Sequence, residues 1–299
     1  MPDARTVLED PSLPATLARL GLREDDAAGT VDVVRQVLDH PAEVAEVDRL
    51  ATSLRRGIGH FPGEPDRDLW PRYDPEADRH GPGMLPLLAL VVTAGDLEEF
   101  HRSRGVAREV SARTLTELGQ QVWVHRLTFG QLGLHTYDWL TVTWSGSLYW
   151  LGRLQFNLER LADGWVCSTH IPRSGPLTPA EVDRSLAAAA RFFPEHFPDR
   201  PVQDFWCSSW LLDPTLAQGL DPGSNMARFQ ARWRLYGEPM PANEDALFFT
   251  FARRGQVALA DLPRDTSLQR LIVDRLRAGG HWWSRTGLIP LDAAGQGSR

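Results

Sequence analysis

The sequence predicts an α+β chain, with a helical part over residues 1–146 and a mixed sheet-and-helix part over residues 147–299. Three observations carry this expectation. Apolar residues recur at three- and four-residue steps through the first half, the period of an amphipathic helix. After Ser147 the period drops to two, as in half-buried strands. Beyond that switch, a strand runs directly into a strongly marked helix start at Thr178. At 299 residues the chain has room for two domains of roughly 150 residues each.

In the first part, Val33, Val34, Val37 and Leu38 form a stripe before Pro41, and Val44, Val47, Leu50 and Leu54 form a second after it. Two packed helices follow from that spacing. Residues 57–83 are rich in Pro, Gly and Asp and read as a long loop. A helix resumes at Met84, and another runs from about Val106 to Trp123 with Val110, Leu115, Leu118 and Val122 on its apolar face. Residues 135–145 fit either period and are assigned to helix.

In the second part, apolar residues at even positions from Leu148 to Leu158, against Arg153, Gln155 and Asn157 at odd ones, predict one strand. Asp163-Gly164 is a turn signal, and Trp165 to Ile171 is the partner strand of a hairpin, ended by Pro172. Thr178-Pro179-Ala180-Glu181 reads as a capping box with proline at the first helical position, and Val182, Leu186, Ala189 and Phe193 carry that helix to Pro194. Gln203 to Leu212 is apolar on both faces and reads as a central strand before a short helix from Pro214 to Leu220. Phe229, Ala231, Trp233 and Leu235 alternate with Arg228, Gln230, Arg232 and Arg234 as in a strand, although Phe229 and Trp233 also suit a helical turn. Ala246 to Ala252 is expected as a last strand. A terminal helix opens at Thr266-x-x-Gln269 and stops at Gly279, and the tail beyond Asp292 is expected to fray.

Composition narrows the function. With 42% hydrophobic residues, 11 Trp and 12 Phe, the chain is globular rather than disordered or fibrous. Its net charge of −7 gives no general attraction to nucleic acid or anionic lipid. All the basic residues are arginines, which excludes a Schiff-base or Walker-type lysine. Cys167 and Cys207 are the only cysteines, too few for a disulfide framework or a cysteine zinc site, so a reducing cytoplasm is expected. The longest apolar run, Met84 to Ala94, is far shorter than the ~20 residues of a membrane span, and MPDARTVLED lacks a leader pattern. No histidine pattern supports a metal.

The element order of the second part resembles the C-terminal portion of the GNAT acyltransferase fold. Leu151-Gly-Arg-Leu-Gln-Phe156, His170-Ile-Pro-x-x-Gly175-Pro-Leu177, Cys207-x-Ser-Trp-Leu-Leu-x-Pro214 and Ser224-Asn-Met-x-x-Phe229, with Leu20-Gly-Leu22 and the Met84 to Val122 helices, are similar to a bacterial family of acyltransferase-domain proteins. That resemblance implies a helical N-acyltransferase-type domain followed by a GNAT-like domain, acyl-coenzyme A as co-substrate and a small-molecule amine as acceptor. It also implies that Arg173, Ser174, Gly175, Leu177 and Thr178 form the pyrophosphate loop, where backbone amides and a helix dipole favour an anion. Gly175 falls one residue early in that loop, no second glycine follows, and Pro176 removes a donor.

His170 is a candidate base for the amine, or else a polar residue bonded to backbone. Ser208 and Trp210 are candidates to line the cleft between the strands flanking the capped helix, and core packing is the other reading of Trp210. Arg153 is read as a ligand contact or as part of a solvated strand face. His135, Tyr137 and Asp138 combine groups typical of active sites, but a helix would make His135 and Asp138 neighbours and a strand would not. A non-catalytic ligand-binding or scaffold protein with the same fold is the alternative function. A serine hydrolase is disfavoured for want of G-x-S-x-G.

Overall fold

The structure, a computed structural model, describes residues 2–65, 73 and 78–291. The chain divides into two compact units, residues 1–150 with 157–162, and residues 151–156 with 163–299. Parts of the expected loop (66–72 and 74–77) and the expected fraying tail (292–299) lie outside the described residues.

The first unit is helical: α1 (Ala4–Leu8), α2 (Leu13–Arg19), α3 (Glu24–Leu38), α4 (Pro41–Gly57), α5 (Met84–Ser103), α6 (Arg108–Leu115), α7 (Glu117–Phe129) and α8 (Tyr137–Trp144). Helix α5 is central, with every residue from Met84 to Ala94 buried, so the apolar run is a core helix. Trp144 at the end of α8 donates its indole N–H to the Leu90 carbonyl (3.2 Å) and to Thr93 Oγ1 (3.1 Å), which ties α8 to α5. Arg126 Nε reaches the buried Asp26 carboxylate at 2.6 Å, joining α7 to α3.

The helix expected over Val106–Trp123 is two helices, broken at Thr116. A close backbone approach accounts for the break. Gly119 N–H donates to the Leu20 carbonyl at 3.0 Å, and a Cβ on Gly119 would lie 1.9 Å from the Gly21 carbonyl carbon. Thr116 is packed against Gly21 in the same way. The Leu20-Gly21-Leu22 segment is therefore a wedge that only glycine-on-glycine contact admits.

The remaining elements are β1 (Leu148–Leu151), β2 (Leu154–Leu161), β3 (Gly164–His170), α9 (Pro179–His196), β4 (Val202–Ser209), α10 (Pro214–Gly219), α11 (Asn225–Gln230), β5 (Arg234–Pro241), α12 (Asn243–Phe251), α13 (Ser267–Arg277) and β6 (Trp283–Pro290). They build a six-stranded mixed sheet in the order β1-β2-β3-β4-β6-β5. Strands β3 and β4 are parallel and joined through α9, while β6 runs antiparallel to both β4 and β5.

Several expected elements differ. The single strand over 148–158 is a hairpin, turning at Gly152 in the left-handed region (φ 73°). Burial on both faces of β1 and of the first half of β2 hides that turn from a periodicity reading. The α9 helix passes Pro194 and ends at His196, because a proline in the last turn leaves the preceding bonds intact. Strand β4 ends at Ser209, and Trp210–Leu212 is a 3₁₀ turn started by the Ser209 hydroxyl accepting from Leu211 N–H (3.1 Å). Phe229 sits on helix α11, capped by Ser224, and the strand begins only at Arg234. Ala246–Ala252 is helical rather than extended, with Ala246, Phe248 and Phe251 as its buried residues. Strand β6, between β4 and β5, was not anticipated.

The glycine wedge yields a paired prediction. Gly119→Ala should lower unfolding free energy by about 3 kcal/mol despite alanine's better helix propensity, because the backbones must part. Gly95→Ala, in α5 with nothing within 4 Å of the added carbon, should raise it by roughly 0.5–1 kcal/mol. Urea denaturation of both variants checks the contrast, and equal effects would refute the wedge.

Candidate active site

The β3–β4 register fixes which side chains share a face. Trp165 pairs with Val202, Cys167 with Phe205 and Ser168 with Trp206. Paired residues of parallel neighbours project to the same side, so counting by two from Ser168↔Trp206 puts His170 and Ser208 on one face. Through β6 and β5 that face continues with Thr286, opposite Ser208, and Tyr236, opposite Thr286. Ser208 and Thr286 hydroxyls are 2.8 Å apart, and the Trp206 and Tyr236 rings lie 6.0 Å apart. The opposite face is core, with Cys167, Phe205 and Cys207 buried. Burial pushes the Cys207 thiol up to about 12 and the Cys167 thiol well above its ordinary value, so neither is a ready nucleophile.

Burial also pushes the His170 imidazole down to about 4. Its ring is thus neutral near pH 7, the state that can accept a proton. His170 closes β3, and the chain then passes through residues 171–178 into α9.

That loop has defined internal bonds. Ser174 N–H donates to the Pro172 carbonyl at 2.8 Å. Gly175 lies at φ 126°, with open space where a side chain would project. Among the described residues, the Gly175 and Leu177 amides have no protein acceptor. Thr178 caps α9 by accepting from Glu181 N–H (3.4 Å), and its hydroxyl donates to Glu181 Oε2 at 2.6 Å. The expected capping box is therefore only half made, since the Glu181 carboxylate bonds the Thr178 hydroxyl rather than its backbone N–H. Arg173 Nη1 donates to the Phe249 carbonyl in the last turn of α12 at 3.1 Å.

Arg153, in the β1–β2 turn, does not extend along a solvated strand. Its guanidinium donates to the carbonyls of Pro172 (3.0 Å), Gly175 (2.7 Å from Nη2) and Pro176 (3.0 Å). Arg232 donates to the Pro179 carbonyl (3.1 Å) and pairs with Asp183 (2.8 Å), securing the first turns of α9. Arg228, Arg232 and Arg234 fall on helix α11, the segment after it and β5, so they do not form the alternating face that their spacing suggests. Trp210 is buried in its 3₁₀ turn, edge-on to Trp282 at 6.1 Å. Its place in the core separates it from Ser208, which is exposed on the sheet face.

In the helical unit, His135 precedes α8, and its Nδ1 lies 3.2 Å from His125 Nδ1. Tyr137 instead stacks edge-on to Tyr73 at 5.3 Å. Tyr137 also lines a small apolar pocket with Leu50, Leu54, Pro86, Ala89, Leu90 and Thr141. Among the described residues, no three His, Cys, Asp or Glu side chains are grouped to hold a metal, and no helix is long and apolar enough to cross a membrane.

The sequence matches the N-acyltransferase N-terminal domain over residues 11–146 and the GNAT-like C-terminal domain over residues 148–289. A comparison with curated proteins finds no match. Among solved structures, a mutant acyltransferase in complex with octanoyl-CoA is 33% identical, with a TM-score of 0.86 over 94% of this chain and 88% of that one. An acyltransferase in complex with decanoyl-CoA and teicoplanin is similar to the same extent: 33% identity, a TM-score of 0.86, and 94% and 88% coverage. An acyltransferase in complex with decanoyl-CoA is 30% identical, with a TM-score of 0.85 over 96% of this chain and 99% of the other. Since these likenesses run through both the helical unit and the sheet at about a third identity, the chain belongs to the acyltransferase family in which an N-acyltransferase N-terminal domain precedes a GNAT-like C-terminal domain.

Proposed function

We propose that the protein is a cytoplasmic enzyme that moves an acyl group from acyl-coenzyme A to an amine of a small-molecule acceptor, with residues 1–146 and 147–299 as its two domains. The turn from β3 into α9 carries this reading, because it presents unpaired amides at a capped helix start beside a neutral histidine. The complexes of the related acyltransferases with octanoyl-CoA and decanoyl-CoA support the donor, and the complex that also holds teicoplanin supports a separate acceptor molecule.

In this reading the pyrophosphate rests on the Gly175 and Leu177 amides and the first turn after Thr178, with Arg173 and Ser174 flanking it. The acceptor nitrogen attacks the thioester carbonyl, the C–N bond forms, the C–S bond breaks and coenzyme A leaves as thiolate. His170 takes the proton from the amine, and Ser208 lines the same sheet face.

The rival reading, a ligand-binding protein that has lost the cofactor, draws on two features. Pro176 lacks an N–H, and the Glu181 carboxylate in the first turn of α9 opposes a second anion. Calorimetric titration with coenzyme A and decanoyl-CoA separates the two. Saturable heat is expected, and none at millimolar ligand would leave the rival.

Gly175→Val should abolish that binding, since φ 126° strains any side chain and the added bulk fills the phosphate approach. Arg173→Ala should weaken it less, with a salt-sensitive difference. His170→Ala should cut kcat by roughly 10²–10⁴. Protonation of a ring held at about 4 removes the base only below that pH, so wild-type kcat/KM, expressed per unprotonated acceptor amine, should stay flat from pH 7 to 5 and fall near pH 4. A fall centred near the ordinary histidine value of about 6.5 would refute His170 as the base.

A further inference from the structure

We propose that Arg153 is the positioning residue of the phosphate loop, holding its carbonyls inward so that its amides face the coenzyme. This rests on the coenzyme A reading above and deepens it. The side chain spans the loop: Nη1 bonds the Pro172 carbonyl at 3.0 Å, Nη2 bonds the Gly175 carbonyl at 2.7 Å, and Nε bonds the Gly175 and Pro176 carbonyls at 3.2 and 3.0 Å. Three carbonyls of a five-residue stretch thus converge on one guanidinium.

Peptide planarity converts that convergence into a consequence for the opposite side. In a trans peptide the carbonyl of one residue and the N–H of the next point in opposite directions. Turning the Pro172 and Pro176 carbonyls toward Arg153 therefore turns the Arg173 and Leu177 amides away from it. The Gly175 carbonyl is held inward too, but its peptide ends in Pro176 and has no N–H to present. The loop's loss of one donor at Pro176 makes the orientation of the others matter more.

Arg153 is itself fixed. Its backbone N–H donates to Ser185 Oγ on α9 at 2.8 Å, and Gly152, at φ 73°, lets the turn approach that hydroxyl so closely that a Cβ would meet it at 2.7 Å. The hairpin turn, the loop and α9 are locked through one residue. Arginine suits the task because its planar fork carries five donors at fixed angles, whereas a lysine ammonium cannot bridge carbonyls so far apart.

The test separates positioning from general folding. Decanoyl-CoA and S-decanoylpantetheine, which lacks the pyrophosphate and nucleotide, are titrated into wild type, Arg153→Ala and Arg153→Lys. Thermal melting is recorded for each. Wild type should bind decanoyl-CoA more tightly. Arg153→Ala should lower decanoyl-CoA affinity about tenfold, the order expected for disordering one or two charge-assisted phosphate contacts, and leave S-decanoylpantetheine affinity unchanged. Arg153→Lys should fall between, and it supplies the reading if the alanine variant does not fold. An unchanged decanoyl-CoA affinity in both variants, or an equal loss for both ligands, would overturn the positioning role. A wild type that binds the two ligands equally would instead defeat the phosphate reading on which it rests.

Discussion

The parallel pairing of β3 with β4 governs the geometry of the second unit. Parallel neighbours cannot be joined by a tight turn, so the chain must leave the end of β3, cross over the sheet and return to start β4 at the same edge from which β3 began. Helix α9 is that crossover, and its N-terminus necessarily lies just past the end of β3. Two consequences meet at one place. His170 ends the first strand and Ser208 nears the end of the second on the same side of the sheet, and the connecting loop opens a helix with its unpaired amides. The last residue of β3 and the unpaired amides of the helix start are brought to the same end of the sheet by strand direction, before any particular side chain is specified.

Much of this fold was legible in the sequence because burial is asymmetric where the elements are amphipathic. The stripes of α3 and α4, the Thr178 cap and the Thr266-Gln269 box of α13 each leave a local signature. What escaped lies where that asymmetry vanishes. Strand β1 is buried on both sides, so the turn at Gly152 leaves the apolar run unbroken. Helix α12 is apolar on most of its circumference and so resembles a short buried strand. Strand β6 carries Trp283, Ser284, Arg285 and Thr286, which are only partly buried and show little alternation. Its placement between β4 and β5 comes from tertiary pairing alone.

The candidate site divides in the same way. Gly175, Thr178 and His170 could be found because each answers a local backbone or chemical requirement. Arg153 also stood out, but its bonds to the loop did not, since its partners lie about twenty residues on and are main-chain carbonyls, which have no identity in a sequence. Trp210 posed the opposite difficulty. By strand parity it belongs beside Ser208, but the Ser209 hydroxyl captures the Leu211 amide and coils the chain, turning the indole into the core against Trp282. Parity counts hold only as far as the strand does.

The outer strand of the sheet has a bearing on how the chain behaves in crowded solution. Among the described residues, strand β5 pairs with β6 alone, and it is exposed along most of its length. A bare strand edge ordinarily invites other chains to stack on it. Here its far half reads Gly237-Glu238-Pro239-Met240-Pro241, its pairing slips between Tyr236 and Met240, and two of its five residues have no N–H to offer. A stranger's backbone approaching this rim would find a bent, charged and donor-poor stretch, so the exposed end of the sheet guards the protein against fibrous self-association without needing anything to cover it.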